Sequence, residues 1–454
     1  MIQNTLYLPE LREMLAEQDA AGLAEFCTAI HPARTADFME GLDASEAWHV
    51  LQHAEPLLRA EIFGFLEPSR QVEMIETLDR KEMAQLITDL PPDDRVDVLN
   101  DAEPAVVDEL LPLVPEEERR DILRLRAYPE DTAGAIMTSE YGRLNETDSI
   151  DEAVESITKS LREGDLQSLN YLYVVDEADH LRGVVSIAQL VSALTKQDMK
   201  ITDIMNRSVV SVDVDADQEN VAAKVARYDF AAIPVVDKEH HMLGIITHDD
   251  VIDVVREEAV EDAQRIGAVD PLEETYLDTS IFTLTWKRGI WLTILFFGAL
   301  LTAIALQRYE GPLDQWAWLV LFIPLVISSG GNSGSQSATL IISALAAGHI
   351  TVADWSRIVL RELAQGLLLG AFLGTIGYLA AIMFDITTAD AMVVPITLTL
   401  VVLCGTLAGS LLPLLFSRLG FDPAIMSTPF VAGIIDLVGI VIYMTVAVSI
   451  LSPV

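Results

Sequence analysis

Residues 424–451 form an almost unbroken apolar stretch that carries one carboxylate, in Pro429-Phe-Val-Ala-Gly-Ile-Ile-Asp436-Leu-Val-Gly-Ile-Val-Ile-Tyr443. The stretch is long enough to cross a bilayer as a helix. Four more apolar stretches precede it, at residues 289–306, 316–347, 358–384 and 393–416, so the C-terminal part reads as a five-span helical membrane domain. At a rise of ~1.5 Å per residue, Asp436 falls roughly 18 Å from residue 424, close to the bilayer midplane. A lone carboxylate there costs about 2.5–3.5 kcal/mol even on forgiving insertion scales. No Lys or Arg lies in the same span to neutralise it. Asp436 therefore either stays protonated against a neighbouring helix or lines a cation pathway, and ionisable groups inside membranes are functional by default.

Charge divides the chain in two. Of the net −40 carried by 454 residues, the part from Ile281 onward contributes −2, from six basic and eight acidic residues. The first 280 residues contribute −38, from 23 basic and 61 acidic residues. An acidic soluble half is thus joined to an apolar block. Its acidity argues against nucleic acid, since no basic stripe is present to displace counterions from phosphates. It is either a solubilising surface or a self-repulsion that bound cations relieve. Cys27 and Cys404 are isolated, which supports neither a disulfide framework nor a thiolate metal site. Residues 1–10 lack a basic segment followed by an apolar run, so a secretory leader is not expected. Lys287, Arg288, Arg357, Arg361 and Arg418 fall on one side of the five spans, and only Arg308 on the other. By the positive-inside rule the N-terminal half is expected in the cytoplasm and the C-terminus outside.

Residues 1 to about 130 read as short amphipathic helices. Three segments share a pattern, beginning at Pro68, Pro92 and Pro115, each with apolar residues at helical spacing. Their spacing of 24 and 23 residues suits stacked helical hairpins in a small superhelix. Asp93, Asp94 and Asp97 cluster in the second. Asp93 and Asp97 share a face, a repulsive arrangement unless a cation sits there, although first-turn acids also serve simply as helix-dipole partners.

Residues 136–256 contain a duplication. Tyr173-Val-Val-Asp…Gly183-Val-Val-Ser matches Pro234-Val-Val-Asp…Gly244-Ile-Ile-Thr, 61 residues on, and Ile136-Met137 and Ile204-Met205 precede the two copies. Each copy predicts a strand, an Asp-containing turn, a second strand and a helix, the helices at 188–194 and 249–256. The pattern resembles a tandem pair of CBS domains, an α/β fold. That resemblance implies an adenosyl-nucleotide site, for which Thr247 and Asp250 match the ribose and phosphate positions; in the first copy Ser186 is followed by Gln189 instead. Acids then recur at Asp249, Asp250, Asp253, Glu257, Glu258, Glu261 and Asp262, with only Arg256 and Arg265 to offset them before Asp278. This run predicts a helix leading toward the membrane, either a solvated face or one side of a hard-cation site.

The second span is interrupted by Ser328-Ser-Gly-Gly-Asn-Ser-Gly-Ser-Gln-Ser337. Small and polar residues at that depth suit close helix packing and hydrogen bonding. Taken with the soluble modules, the segments Gly330-Gly-Asn-Ser-Gly-Ser-Gln-Ser-Ala-Thr339 and Asp422-Pro-Ala…Pro429-Phe-Val…Asp436 resemble the MgtE family of magnesium channels and transporters along nearly the whole chain. The resemblance divides the chain into an acidic helical domain (1–131), the CBS pair (132–256), a connecting helix (257–280) and a pore domain (281–454). It implies a homodimer in the bacterial inner membrane with the pore on the two-fold axis and Asp436 facing the ion. Asn332 and Gly331 match the pore segment, and Ala432, Gly433 and Thr428 accompany Asp436, with Thr428 standing where family members carry Asn. A cytosolic Mg²⁺ sensor that closes the pore is implied at Asp93, Asp94, Asp97, Asp229, Asp250, Glu258, Glu261, Asp262 and Asp422. Oxygen ligands suit Mg²⁺ but do not separate it from Mn²⁺. The alternative is a CBS-regulated carrier for Co²⁺, Mn²⁺ or another solute. No nucleophile–base pairing or phosphate loop points to an enzyme.

Overall fold

The computed structural model describes residues 7–163, 170–194, 199–272, 275–277 and 279–451, without the side chains of residues 162 and 163. It separates into two compact units, Met1–Arg256 and Glu257–Val454.

The first unit begins with short helices whose starts follow the prolines. Pro68–Thr77 and α1 (Pro92–Asp101) have Pro in the first turn, and Pro115 caps Glu116–Leu125. Proline suits these positions because its missing N–H would have no intrahelical partner there. The helices stack over a core that includes Leu51, Phe63, Met74, Leu86 and Leu99. Helix α1 is shared by two cores. Its Val98 and Leu99 join the helical domain, while Val96 packs with Val212, Val235, Ile246 and Val254 of the domain that follows. A helix gripped on both sides buries groups that would otherwise be wet, and Asp93 and Arg95 are both buried.

The duplication gives two three-stranded sheets of one topology. In the first, β1 (Gly142–Asn145) runs parallel to β2 (Tyr171–Val175), which pairs antiparallel with β3 (Leu181–Ser186). In the second, β4 (Val212–Asp213), β5 (Ala232–Val236) and β6 (Met242–Thr247) repeat this, with the register shifting at Val235/Val236 as it does at Val174/Val175. The Ile-Met segments cross over: Met205 packs on Gly183 of the first copy and Met137 on Gly244 of the second. A Cβ on Gly244 would lie 2.6 Å from the Thr138 carbonyl, so that position admits only glycine without movement. Helix α2 (Gln218–Tyr228) ends at Asp229, whose φ of 53° makes a left-handed cap. The helix expected at 188–194 is Ile187–Ala193.

The acidic run forms α3 (His248–Ile266), and the boundary between the units falls within it. The expected connecting helix was longer, to residue 280. It stops at Ile266 because Ala268 turns left-handed at φ 59° and Pro271 follows; Asp278 lies outside the described residues.

The second unit contains α4 (Ile281–Gln307), α5 (Leu319–Ala346), α6 (Trp355–Met383), α7 (Val393–Arg418) and α8 (Thr428–Leu451). Among the described residues, four stretches, built on α4, α6, α7 and α8, are long and apolar enough to cross a membrane. Of the five spans expected, α5 has the length but its apolarity is diluted by the Ser328–Ser337 run. The tops of α5 and α8 are tied where Tyr443 Oη donates to the Leu319 carbonyl at 2.9 Å. The last span starts at Thr428 rather than 424, because Asp422 caps a separate turn over Pro423–Ile425. Asp436 thus lies eight residues into the helix, about 12 Å from its start and short of the middle of the span.

Candidate cation cleft and ion pathway

In the first unit an open cleft of about 1550 Å³ is lined by Asp93 and Asp94 of α1, Asp229, and Thr247, Asp249, Asp250 and Asp253 around the start of α3. Asp93 and Asp94 occupy the first turn of α1, where N–H groups face outward and favour negative charge. Burial first, then Asp250 and Asp94, nevertheless hold the Asp93 carboxyl well above the usual carboxylate range. Its Oδ1 is buried without a hydrogen-bond partner. Burial, then Asp250, Asp249 and Asp253, push Asp94 up to about 6. Asp250 is raised by burial, with Asp249 and Asp253 adding to it, although the Thr247 amide and hydroxyl donate to it and pull the other way. The buried cation nearest in sequence, Arg95, is used elsewhere: its guanidinium donates to the Thr88 and Leu90 carbonyls at 3.1 Å and sits 3.6 Å from Glu140. Among the described residues no Lys or Arg pairs with Asp93, Asp94 or Asp250, whereas Asp253 has Arg256 at 3.3 Å. Crowded like charges around a buried, orphaned Asp93 oxygen fit a hard divalent cation, which takes carboxylate oxygens and offsets their repulsion.

Thr247 and Asp250, expected at a nucleotide, are bonded to each other as a helix-start motif, and Ser186 and Gln189 form the equivalent capping box in the first copy. The two copies thus share one local device, built on an amide in the first and a carboxylate in the second. Asp97 contributes to the repulsion on Asp93. Asp249 and Asp253 belong to the cleft yet were not among the expected sensor residues; their i, i+4 spacing across the start of α3 was the available signal.

The remaining expected sensor acids form a different cluster, within the second unit. Arg265 pairs with both Glu261 and Asp422. Burial, then Asp422 and Glu258, raise the Asp262 carboxyl, and Arg265 opposes them. Thr428 Oγ1 donates to the Ile266 carbonyl at 3.2 Å, so the residue in the family's Asn position caps the end of α3.

In the membrane domain Asp436 is half-buried where α8 meets α5, and among the described residues no hydrogen-bond or ion-pair partner reaches it. A Cβ built on Gly331 would lie 3.3 Å from Asp436 Oδ1 and 3.4 Å from Ala432 Cβ, so glycine lets the polar segment of α5 come against the carboxylate. Asn332 is exposed, its amide donating to Ser328 Oγ at 3.1 Å. Gly433 points instead toward α4, with Leu295 4.0 Å from its built Cβ. The structure thus brings Gly331, Ala432 and Asp436 together and leaves Gly433 on another face. One buried carboxylate escaped sequence reasoning: Glu362 of α6, 6% exposed and bonded to Ser337. Its neighbour Arg361 marks the span's end, which hid it among connector charges.

Family models match the three parts in order: the MgtE intracellular N domain at residues 30–131, CBS domains at 133–196 and 201–257, and MgtE, described as a divalent cation transporter, at 323–446. The magnesium transporter MgtE of Thermus thermophilus is 39% identical over 76% of this chain and 76% of that protein. The chain belongs to the MgtE family. A second relative, the magnesium transporter MgtE of Enterococcus faecalis, is 35% identical over 73% of this chain and 72% of that protein. Among solved structures, the soluble part of a magnesium transporter is similar at 32% identity and a TM-score of 0.51, covering 55% of this chain and 97% of that one. The cytosolic domain of the Mg²⁺ channel MgtE in complex with ATP is similar at 34% identity and a TM-score of 0.50, covering 54% of this chain and 98% of that one. As an MgtE protein, the chain combines a helical cytosolic domain, a CBS pair and apolar membrane helices.

Proposed function

We propose that this MgtE protein carries Mg²⁺ across the membrane through a pathway lined by Asp436 and is closed by cytoplasmic Mg²⁺. The observation that carries the reading is Asp436, an unpartnered carboxylate held inside an apolar helix bundle against Gly331 and Ala432. Asn332 adds an exposed amide, and Thr428 acts at the cytoplasmic entrance. Mg²⁺ dehydrates reluctantly, so carboxylates and amides that hold it through its water shell let it pass, where a dehydrating cage would trap it. Two copies related by a two-fold axis place a pair of Asp436 side chains around one path, which is why we read the protein as a homodimer embedded in lipid.

Closure is assigned to the acidic cleft. Asp93, Asp94 and Asp250, with Asp97, Asp229, Asp249 and Asp253 around them, repel one another until a cation binds, and the bound state differs from the free one by that relief. Glu258, Glu261, Asp262 and Asp422 take part at the connecting segment. We keep the division into 1–131, 132–256, 257–280 and 281–454 as the functional one, with the N-terminal half cytoplasmic and the C-terminus outside. ATP or another adenosyl nucleotide binds, on this reading, beside Thr247 and Asp250, and transport rather than catalysis is the activity.

Inside-out patches test this with Mg²⁺ as permeant ion and cytoplasmic Mg²⁺ stepped from micromolar to about ten millimolar, spanning weak hard-cation sites. Wild type conducts and closes on the step, and Asp436→Ala passes no current. A current indifferent to Asp436 would return that residue to helix packing. A current carried equally by Mn²⁺ or Co²⁺ would favour a broader divalent carrier.

A further inference from the structure

Glu362 sits in the second turn of α6, on the buried stripe Ile358, Glu362, Gly366, Gly370 that packs on α7. Ser337 Oγ donates to its Oε2 at 2.7 Å, both groups being buried. The Glu362 carbonyl lies 3.4 Å from Thr406 Oγ1 of α7. Among the described residues no Lys or Arg pairs with it. A carboxyl kept inside a membrane domain on one neutral hydrogen bond is costly, so its retention calls for a role.

Ser337 gives the role a direction. It ends the polar segment of α5 whose other end, Gly331, comes against Asp436, six residues or about 9 Å further along the same helix. Between them α5 crosses α7 with almost no side chain in the gap: a Cβ on Gly409 would lie 2.1 Å from the Gly334 carbonyl. Backbones in such close contact lack interlocking side chains to set rotation and depth, so a polar tie beside the crossing does so instead. We propose that Glu362 is a positioning residue of the ion pathway: by accepting the Ser337 hydroxyl it fixes the rotation of α5 that holds Gly331 against Asp436 and leaves Asn332 exposed beside it.

The inference rests on the transport reading, and it is tested with two measurements on the full-length protein. One is unitary Mg²⁺ conductance. The other is the labelling rate of Asn332→Cys by a membrane-impermeant thiol reagent, in a background with Cys27 and Cys404 replaced by Ser, which reports the rotation of α5 whether or not ions pass. Glu362→Ala and Ser337→Ala each lower the conductance and shift the labelling rate roughly tenfold, the scale of one strong hydrogen bond lost. The double variant is no worse than Glu362→Ala, and Glu362→Gln, whose amide oxygen accepts the same hydroxyl, recovers most of both. Labelling unchanged in Glu362→Ala overturns the proposal. So does additivity in the double variant, or a Glu362→Gln as impaired as Glu362→Ala, which would make the charge itself the active feature. If Glu362→Ala fails to assemble, Ser337→Ala and Glu362→Gln decide the matter. A wild type without Mg²⁺ current sinks the transport reading, while the labelling comparison still judges Glu362.

Discussion

The acids of the cleft and the acids around Arg265 come from one acidic run and its surroundings, yet they are neutralised differently. Asp93 is buried with Asp94 and Asp250 beside it, carboxylate against carboxylate, and Arg95 spends its charge on carbonyls and Glu140. Glu261 and Asp422 are instead bridged by a guanidinium belonging to the same chain. A cluster with its own cation is satisfied as folded, whereas one without is satisfied only by an ion from solution. On the proposed reading the first is thus the place where cytoplasmic Mg²⁺ changes most, and the second resembles a latch already fastened.

The sharpest way to break this comparison is to neutralise each cluster separately and measure closure by cytoplasmic Mg²⁺ in patches. Asp94→Asn with Asp250→Asn raises the half-closing concentration at least about tenfold, given how strongly ligand charge tunes oxygen sites. Glu261→Gln moves it less, by about threefold, since Arg265 then turns wholly to Asp422. Equal shifts would dissolve the distinction.

Arg265→Gln sharpens it from the other side. Asp422 and Glu261 lose their cation, so Mg²⁺ raises the melting temperature of this variant more than that of wild type, by a further few degrees, about 1 kcal/mol in a domain of this size. No extra gain would mean that the guanidinium was not standing in for a metal.

A smaller effect concerns pH. The folded cleft raises the Asp94 carboxyl from 3.8 to about 6, with Asp93 and Asp250 raised as well. A carboxyl whose folded value exceeds its unfolded one stabilises the protein fully below the unfolded value and loses that contribution as pH rises through the folded value. Without divalent cations the melting temperature therefore falls between about pH 4 and 7, and less so in Asp94→Asn. Added Mg²⁺ recovers more at pH 7 than at pH 4. A pH profile identical in wild type and variant would show that Asp94 is not under repulsion.

Much of this architecture was legible in the chain because it is written in local chemistry. Prolines mark helix starts wherever their missing N–H costs nothing, and the repeat after Pro68 and Pro92 reads directly. Apolar length announced the membrane helices, and the duplicated Gly183 and Gly244 announced paired α/β modules, since a backbone that must pass close tolerates no side chain. Asp436 stood out for the simple reason that a charge in hydrocarbon is expensive.

Tertiary structure alone decided which of these residues meet. That Met137 packs on the second copy and Met205 on the first depends on a crossover no local pattern encodes. Asp249 and Asp253 became cleft residues because α1 is held between two cores, which turns Asp93 inward and sets Asp94 across the cleft from the start of α3. Asp436 lies short of the middle of its helix because Asp422 caps a separate turn before the helix begins. Arg265 as an internal counter-ion, Thr428 as a helix cap and Glu362 as a buried acceptor are pairings across 157, 162 and 25 residues. Composition sets how much charge and apolar surface a chain must dispose of; only packing in three dimensions settles which charges find a partner and which await an ion.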